Sequence, residues 1–188
     1  MLGLGNSIIT SDGIKQPFFS YYSDFTSGVD GWSDAGSTEG GAISLAANQT
    51  IAGESGWLRG TYPATNQTNA SGIKNSTLMD GLTEEVGDYG IGRARIYLYH
   101  DGSTDHWTGT DEVSVYFFTG SGWETYNAYT TGVPLNTAKD MNLNFGPDTD
   151  GSWPDAIEIW FTTTPGDLPR ANAVFYIKDV SIQIFRAG

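Results

Sequence analysis

The alternation of apolar and polar residues predicts β-strands along most of this chain, and the longest run lies near the C-terminus. This run, AVFYIKDVSIQIF, spans residues 173–185. Apolar residues occupy odd positions as far as Ile177 and even positions from Val180 onward. Because the side chains of a strand alternate between two faces, such a change of parity requires one extra residue. We therefore predict a β-bulge near Lys178 and Asp179, in a strand that closes a β-sandwich.

Shorter runs of strand-like composition precede it, and no helical spacer separates them. Asp-Gly and Gly-Ser-Gly turn signals lie between the runs, at residues 30–31, 101–102, 120–122 and 150–151. Strands joined in this way pack as two antiparallel sheets. The prediction is an all-β fold, a jelly-roll β-sandwich of about nine antiparallel strands in one domain, residues 19–188. The strands are predicted at residues 19–25, 42–46, 57–62, 91–99, 112–118, 124–129, 141–145, 156–163 and 174–185.

Residues 1–18 form an N-terminal arm that differs in pattern from the predicted sandwich. Glycines interrupt it, and its apolar residues show no strand alternation. A terminal segment of this kind is ordered only where contacts hold it. We expect the arm to make contacts through Leu2, Leu4, Ile8 and Ile9. Those contacts are either with a neighbouring subunit, as in a homo-oligomer, or with the chain's own core, and the pattern leaves both open.

The long polar segment 63–88 interrupts the succession of strands. Long loops within compact domains are usually functional or packed against a neighbour. Leu78, Leu82 and Val86 recur at helical spacing after a possible cap at residues 76–77. A short helix is therefore predicted here, with Gly81 as the residue that opposes it.

Composition excludes several classes of partner. The chain has 188 residues and a formal net charge of −13, with only nine lysines and arginines. Binding to nucleic acid or to an anionic membrane needs clustered cations, so neither is expected. There is no cysteine, hence no disulfide, and no apolar run approaches a membrane span of about 20 residues. The start of the chain lacks the features of a signal peptide.

Three motifs in order resemble carbohydrate-binding modules of families 4 and 22. Residues 24–32 (DFTSGVDGW) resemble their opening motif, residues 120–126 (GSGWETY) an internal turn, and residues 175–182 (FYIKDVSI) their closing strand. The resemblance covers residues 19–186 and implies a jelly-roll fold. It also implies a structural calcium ion, held partly by a glutamate of the opening motif and an aspartate of the closing pair. Here Thr26 and Lys178 depart from that pattern and only Asp179 matches it, so we expect no cofactor, with Asp179 a weak metal candidate.

The first seven residues (MLGLGNS) resemble the opening of small virion proteins of marine tailed phages. This resemblance agrees with the acidity and with the absence of cysteine and of a signal peptide. It implies a decoration protein of a phage head, a role in which jelly-roll folds occur.

Strand alternation separates outward-facing residues that are candidates for binding. Arginines and tyrosines on one stripe of the strand at 91–99 face away from Ala94, Ile96 and Leu98. Similar outward positions occur on the strands at 112–118 and 156–163. Such a face suits a protein interface, a glycan, or cover by the chain's own 63–88 loop. The candidate residues are Arg93, Arg95, Tyr97, Tyr99, Tyr116, Glu158 and Trp160.

The sequence offers little for catalysis or for metal binding. It contains no nucleophile elbow, no zinc-protease motif and no P-loop. Glu158 lacks a second carboxyl group that could be placed opposite it, as glycoside hydrolysis requires. His100 and His106 flank an Asp-containing loop, and residues 147–151 resemble half of a calcium loop, but solvated turns explain both better. No catalytic residue and no enzymatic activity are predicted.

The leading hypothesis is a non-enzymatic phage virion protein, a capsid decoration or cement subunit located on the virion. Its arm and aromatic outer face would bind neighbouring coat proteins by burial of apolar area. The alternative is an extracellular carbohydrate-binding module that recognises glycans on an aromatic sheet face.

Overall fold

The computed structural model describes residues 9–10, 13–36, 38–83, 85, 87–100, 107, 113–119, 127–146, 156–163 and 169–187. Within these ranges the chain forms thirteen strands and no helix. Accordingly, none of the described residues belongs to a helix that could span a membrane. The strands are β1 Ile9–Thr10, β2 Gly13–Ile14, β3 Phe19–Ser23, β4 Ser33–Asp34, β5 Ser44–Ile51, β6 Glu54–Thr61, β7 Ser71–Asn75, β8 Tyr89–Tyr99, β9 Val113–Thr119, β10 Asn127–Val133, β11 Lys139–Phe145, β12 Ile157–Thr163 and β13 Val174–Phe185.

The strands form two antiparallel sheets and one short hairpin. The five-stranded sheet has the order β10-β9-β12-β7-β4, and the six-stranded sheet has the order β11-β8-β13-β6-β5 with β3 added beside β13. The prediction of an all-β sandwich is confirmed, and each of the nine predicted strands has a counterpart. The further strands are the two-residue pair β1 and β2 in the arm, and β4 and β7 in the five-stranded sheet. For the arm, Leu2, Leu4 and Ile8 lie outside the described residues, and Ile9 pairs with Ile14, so the expected arm contacts stay a prediction.

The predicted bulge in the closing strand is confirmed. Register between β13 and β8 shifts between Lys178 and Ser181, and Asp179 has a φ of 54°. The bulge lets β13 hold two different neighbours along one edge. Residues before it pair with β6, and residues from Val180 onward pair with β3.

The core lies between the two sheets and follows the alternation of the strands that line it. Ile157, Ile159 and Phe161 of β12 are fully buried and face the buried residues of β8 and β13. Gly60 of β6 leaves space for the ring of Phe175 on β13, because a Cβ at Gly60 would lie 2.0 Å from Cζ of Phe175. The buried residues of β8, β11 and β13 that complete this core are Ala94, Ile96, Leu98, Met141, Leu143, Phe145, Phe175, Ile177, Val180, Ile182 and Ile184.

The helix predicted in the 63–88 segment is wrong. This segment instead contributes β7, which pairs with β12 and β4. At the predicted helix the chain makes successive tight turns, with hydrogen bonds from Asp80 N to Thr77 O and from Leu82 N to Met79 O. Gly81 has a φ of +75°, which is incompatible with a right-handed helix. The apolar spacing reflects packing of these turns on the core, because Leu78 and Leu82 are partly buried against it, while Val86 lies outside the described residues.

Candidate functional site

The structure divides the predicted site residues between the two sheets. One set lies on β8, in the six-stranded sheet, and the other lies on β9 and β12, in the five-stranded sheet. The two outer faces are on opposite sides of the sandwich, so the interpretation of a single binding face is wrong. The first set is Arg93, Arg95, Tyr97 and Tyr99, and the second is Tyr116, Glu158 and Trp160.

Trp160 occupies the middle of the five-stranded sheet, on the face turned away from the core. β12 is the central strand of that sheet, and Trp160 is half-buried between the fully buried Ile159 and Phe161. On the β7 side its register partner is Gly72, where a Cβ would lie 2.1 Å from the carbonyl oxygen of Ile159. The close backbone approach therefore restricts this position to glycine, and no side chain stands beside the indole on that strand.

Aromatic residues occupy the register positions on the other side of Trp160. Tyr116 of β9 pairs with Trp160, and Tyr129 of β10 pairs with Tyr116. Neighbouring strands lie about 4.8 Å apart, so these three backbone positions form a row about 10 Å long across the sheet. Tyr129 was not among the residues predicted from the sequence. Its place beside Tyr116 depends on the pairing of β10 with β9, which the local sequence pattern does not reveal.

Glu158 lies two residues from Trp160 on the same face and forms the polar part of this site. The Nε1–H group of Trp160 donates a hydrogen bond to Oε2 of Glu158. Lys74 of β7 is the register partner of Glu158, and Ser33 of β4 is the partner of Lys74. Burial raises the pKa of the Glu158 carboxyl, an effect that the Trp160 hydrogen bond and the charge of Lys74 partly oppose. The site therefore combines an indole with a carboxyl, an ammonium and a hydroxyl group.

The outer face of the six-stranded sheet carries a second aromatic cluster, which is closed to solvent. Trp57, Tyr97 and Tyr176 are only 1%, 7% and 9% exposed, and Val174 is buried with them. The ring of Tyr97 meets those of Trp57 and Tyr176 edge to face, at centroid distances of 6.2 and 6.1 Å. Tyr97 therefore presents little surface for stacking on a ligand.

Charged groups lie over this cluster. The Arg95 guanidinium and the Lys178 ammonium are each 5.7 Å from the centroid of Trp57. Glu54 binds both, at 2.9 Å from Arg95 Nη1 and 3.3 Å from Lys178 Nζ. The predicted site residue Arg95 is thus already paired, whereas Arg93 is exposed and Tyr99 is half-buried. Trp57 was missed from the sequence, although its alternation with the buried Leu58 indicated an outward position.

Asn136 fixes the end of β8 and was also missed. Its side-chain amide accepts a hydrogen bond from His100 N at 2.9 Å and donates one to His100 O at 2.8 Å. The residue has a φ of 57°, a conformation that asparagine tolerates. His106, the second histidine of the predicted loop, and residues 147–151, which resemble half of a calcium loop, lie outside the described residues.

Asp179, the weak metal candidate, is engaged within the chain. The Tyr22 hydroxyl donates a hydrogen bond of 2.8 Å to Asp179 Oδ1. Nowhere in the described part of the chain do three His, Asp or Glu side chains come together as a metal site. A calcium ion needs six to eight oxygen ligands, which carboxylates and carbonyl groups supply. The expectation of no cofactor stays a prediction.

No protein-family model and no curated protein matches the chain. Solved structures do match, and those compared here are carbohydrate-binding modules. A family 27 module of Caldicellulosiruptor saccharolyticus in complex with mannohexaose is 13% identical, with a TM-score of 0.53 over 88% of this chain and 97% of that one. A family 4 module is 15% identical, with a TM-score of 0.50 over 85% and 99%. The xylan-binding module of family 15 is 11% identical, with a TM-score of 0.50 over 90% and 99%.

These comparisons correct the leading hypothesis. The protein was expected to be a virion decoration subunit that binds coat proteins, but the similar structures described above are carbohydrate-binding modules. The hypothesis drew on a resemblance of seven N-terminal residues, together with the acidity and the absence of cysteine and of a signal peptide, and none of these features is specific to a virion protein. It is therefore wrong, and the findings favour the alternative. What the likeness shows directly is the fold, a β-sandwich shared with carbohydrate-binding modules.

Proposed function

We propose that this protein is a non-catalytic carbohydrate-binding module whose glycan lies on the outer face of the five-stranded sheet. The observation that carries the proposal is the pairing of Trp160 with Glu158 in the centre of that face. An indole that is half-buried in a sheet is held in one orientation and still offers part of its ring.

The chemistry of this face suits a sugar. The apolar CH groups of a pyranose pack on an aromatic ring, and its hydroxyls need hydrogen-bond partners once water is displaced. Glu158 accepts hydrogen bonds when ionised, and Lys74 donates them. Residues in register on a ladder share a face, so we expect Tyr116 and Tyr129 to extend the aromatic row beyond Trp160. A row of this kind binds an extended ligand that runs across the strands.

The shared fold supports the same proposal. Two of the similar structures are described as a xylan-binding module and as a module in complex with mannohexaose. The corresponding ligand class for this chain is a neutral glycan. An extracellular location, where such polymers occur, follows from this role.

A hydrolytic role is less well supported than binding. Glycoside hydrolysis requires two carboxyl groups about 5–10 Å apart on either side of the scissile bond. The register partners of Glu158 are Lys74 on one side and Phe118 on the other, and neither is an acid. The proposal therefore contains no bond-breaking step, and Glu158 is a binding residue.

Titration of the full chain with a xylan oligosaccharide and with mannohexaose, by calorimetry, tests the proposal. We expect one of the two to bind, and Trp160→Ala to weaken binding by about 30-fold or more, as for a central aromatic contact worth roughly 2 kcal/mol. Tyr22→Ala is the matched control, because Tyr22 is 62% exposed and lies on the other sheet. Circular dichroism establishes that both variants fold. If the folded Trp160 variant binds as tightly as the unmodified chain, or if neither glycan binds, the proposal is overturned.

A further inference from the structure

The outer face of the six-stranded sheet carries a large share of the cations of a chain that is strongly acidic as a whole. The chain has nine lysines and arginines against 22 acids. Four of those nine cations stand at outward positions on three adjacent strands of this one sheet. They are Arg59 of β6, Arg93 and Arg95 of β8, and Lys178 of β13. A concentration of cations on an acidic protein is a feature that attracts anions to this face.

Arg59 differs from the other partly buried cations of this face because it has no carboxylate partner among the described residues. Arg95 and Lys178 share Glu54, and Arg95 also approaches Asp140 at 3.8 Å. The side chain of Arg59 is partly buried, and its Nε is fully buried with no hydrogen-bond acceptor. A buried N–H group without an acceptor is costly, and the Nε–H of Arg59 is such a group.

The indole of Trp57, close to Arg59, also lacks a hydrogen-bond acceptor. Trp57, two residues before Arg59 on the same face of β6, is 1% exposed, and its Nε1 also lacks a partner. Two unpartnered donors therefore stand side by side on one strand. Both groups are donors only, so what they lack is an acceptor.

The residues beside Arg59 on the edge strand have small side chains. Its register partner on the edge strand β5 is Ala46, which is exposed, and Thr61 and Ser44 pair with each other in the next row. On its other side Arg59 pairs with Tyr176, whose pKa is raised by burial and lowered by the charge of Arg59. The guanidinium thus lies among small side chains and hydroxyl groups at an open edge of the sheet.

We propose that Arg59 anchors a second binding site, specific for the carboxylate of an acidic sugar, on the outer face of the six-stranded sheet. A carboxylate fits the planar fork of a guanidinium through two parallel hydrogen bonds. The hydroxyls of Ser44 and Thr61, in the next row of the same two strands, suit the remaining hydroxyl groups of a uronic acid. This site goes beyond the neutral-glycan site around Trp160 and does not depend on it.

Tetragalacturonate is the probe for this site, and its methyl ester is the control that removes the charge and keeps the sugar rings. In a nitrogen–proton correlation spectrum of the full chain, the indole signals of Trp57 and Trp160 report the two faces separately. Their assignment follows from Trp57→Phe and Trp160→Phe. We expect tetragalacturonate to shift the Trp57 signal and leave that of Trp160 in place, and the methyl ester to leave the Trp57 signal in place. Neutral glycans are expected to shift only Trp160.

Arg59→Gln is expected to weaken tetragalacturonate binding by about tenfold or more. The control Arg170→Gln changes the net charge equally at an exposed loop residue and is expected to leave binding unchanged. The proposal is overturned if the Trp57 signal does not respond to tetragalacturonate in the unmodified chain, a result that needs no variant to fold. It is also overturned if both arginine variants weaken binding equally, or if a hexaglutamate peptide binds as tightly as the sugar. If neutral glycans shift the Trp160 signal while tetragalacturonate does not shift that of Trp57, the site around Trp160 is supported and the site around Arg59 is rejected.

Discussion

The phenyl rings of Phe161 and Phe175 stack across the two sheets, with their centroids 4.2 Å apart and their planes inclined by 29°. Phe161 follows Trp160 on β12, and Phe175 precedes Tyr176 on β13. Adjacent residues of a strand point to opposite faces, so this buried stack lies between the two outer faces of the sandwich. This core contact therefore holds in place both the sheet with the proposed glycan site and the sheet that carries Arg59 on its outer face.

Replacement of Phe161 by alanine is therefore expected to destabilise the whole sandwich. Both rings are fully buried, and the substitution leaves a cavity between the sheets, which costs about 3–5 kcal/mol of unfolding free energy. Urea denaturation followed by tryptophan fluorescence measures the change. Phe161→Leu fills most of the cavity and is expected to cost less. A loss of only about 1 kcal/mol in the alanine variant would show that the core collapses around the site.

The C-terminal end of β13 is held by a buried carboxylate, and its removal is expected to destabilise the fold. The side chain of Asp88 is fully buried and accepts hydrogen bonds from Arg186 Nη1 at 2.6 Å, Ala187 N at 3.1 Å and Glu85 N at 2.9 Å. Asp88→Asn removes the charge that these donors share, and we expect a loss of about 2 kcal/mol in thermal or urea unfolding.

Glu85→Gln is the matched control for that substitution. Its carboxylate is 68% exposed and 3.6 Å from Arg186, so it contributes about 0.5 kcal/mol or less. Equal losses in the two variants would contradict the role assigned to the buried carboxylate.

Glycan binding is expected to weaken on acidification because the carboxyl of Glu158 is a stronger hydrogen-bond acceptor when it is ionised. The pKa of this carboxyl is raised by burial, so protonation begins at a higher pH than for an exposed glutamate. Calorimetric titrations across the acidic range are expected to show affinity falling as pH decreases through the raised pKa. In Glu158→Gln, the affinity at neutral pH is expected to be lower and the pH dependence lost. A pH profile unchanged by the substitution would assign the dependence to another group.

The raised pKa of Glu158 also makes the free energy of unfolding depend on pH, in the direction opposite to that expected for glycan binding. A carboxyl with a raised pKa in the folded protein favours its protonated form there, whereas the unfolded chain ionises at the usual pKa. The stability contributed by protonated Glu158 is thus fully present below the unfolded pKa and is lost as pH rises through the folded pKa. Comparison of unfolding free energies of the unmodified chain and Glu158→Gln across that interval measures this contribution.

Some features of this protein are local in the chain and could be predicted from it. The bulge at Asp179 followed from the change of parity in one strand, because the period of two is set by backbone geometry. The outward positions of Trp160 and Glu158 followed in the same way from the buried residues between them. The 78–86 segment shows where such patterns mislead, since apolar residues at helical spacing there belong to turns that Gly81 keeps from becoming a helix.

Nine strands, the bulge and the outward side chains could be read from the chain, because each depends on neighbours within a few residues. Which strands share a sheet depends on the assembled fold, as do the short strands β4 and β7, which form by pairing with residues far along the chain. Tyr97 and Trp160 have the same outward pattern, yet one lies closed in a cluster with Trp57 and the other half-open beside Gly72, on opposite faces. Strand pairing is set by contacts between residues far apart in the chain, such as Trp160 with Gly72 and Tyr116. The alternation of side chains along a strand shows which residues point outward but does not show which strands are neighbours. The binding face could therefore be identified only from the assembled sheets.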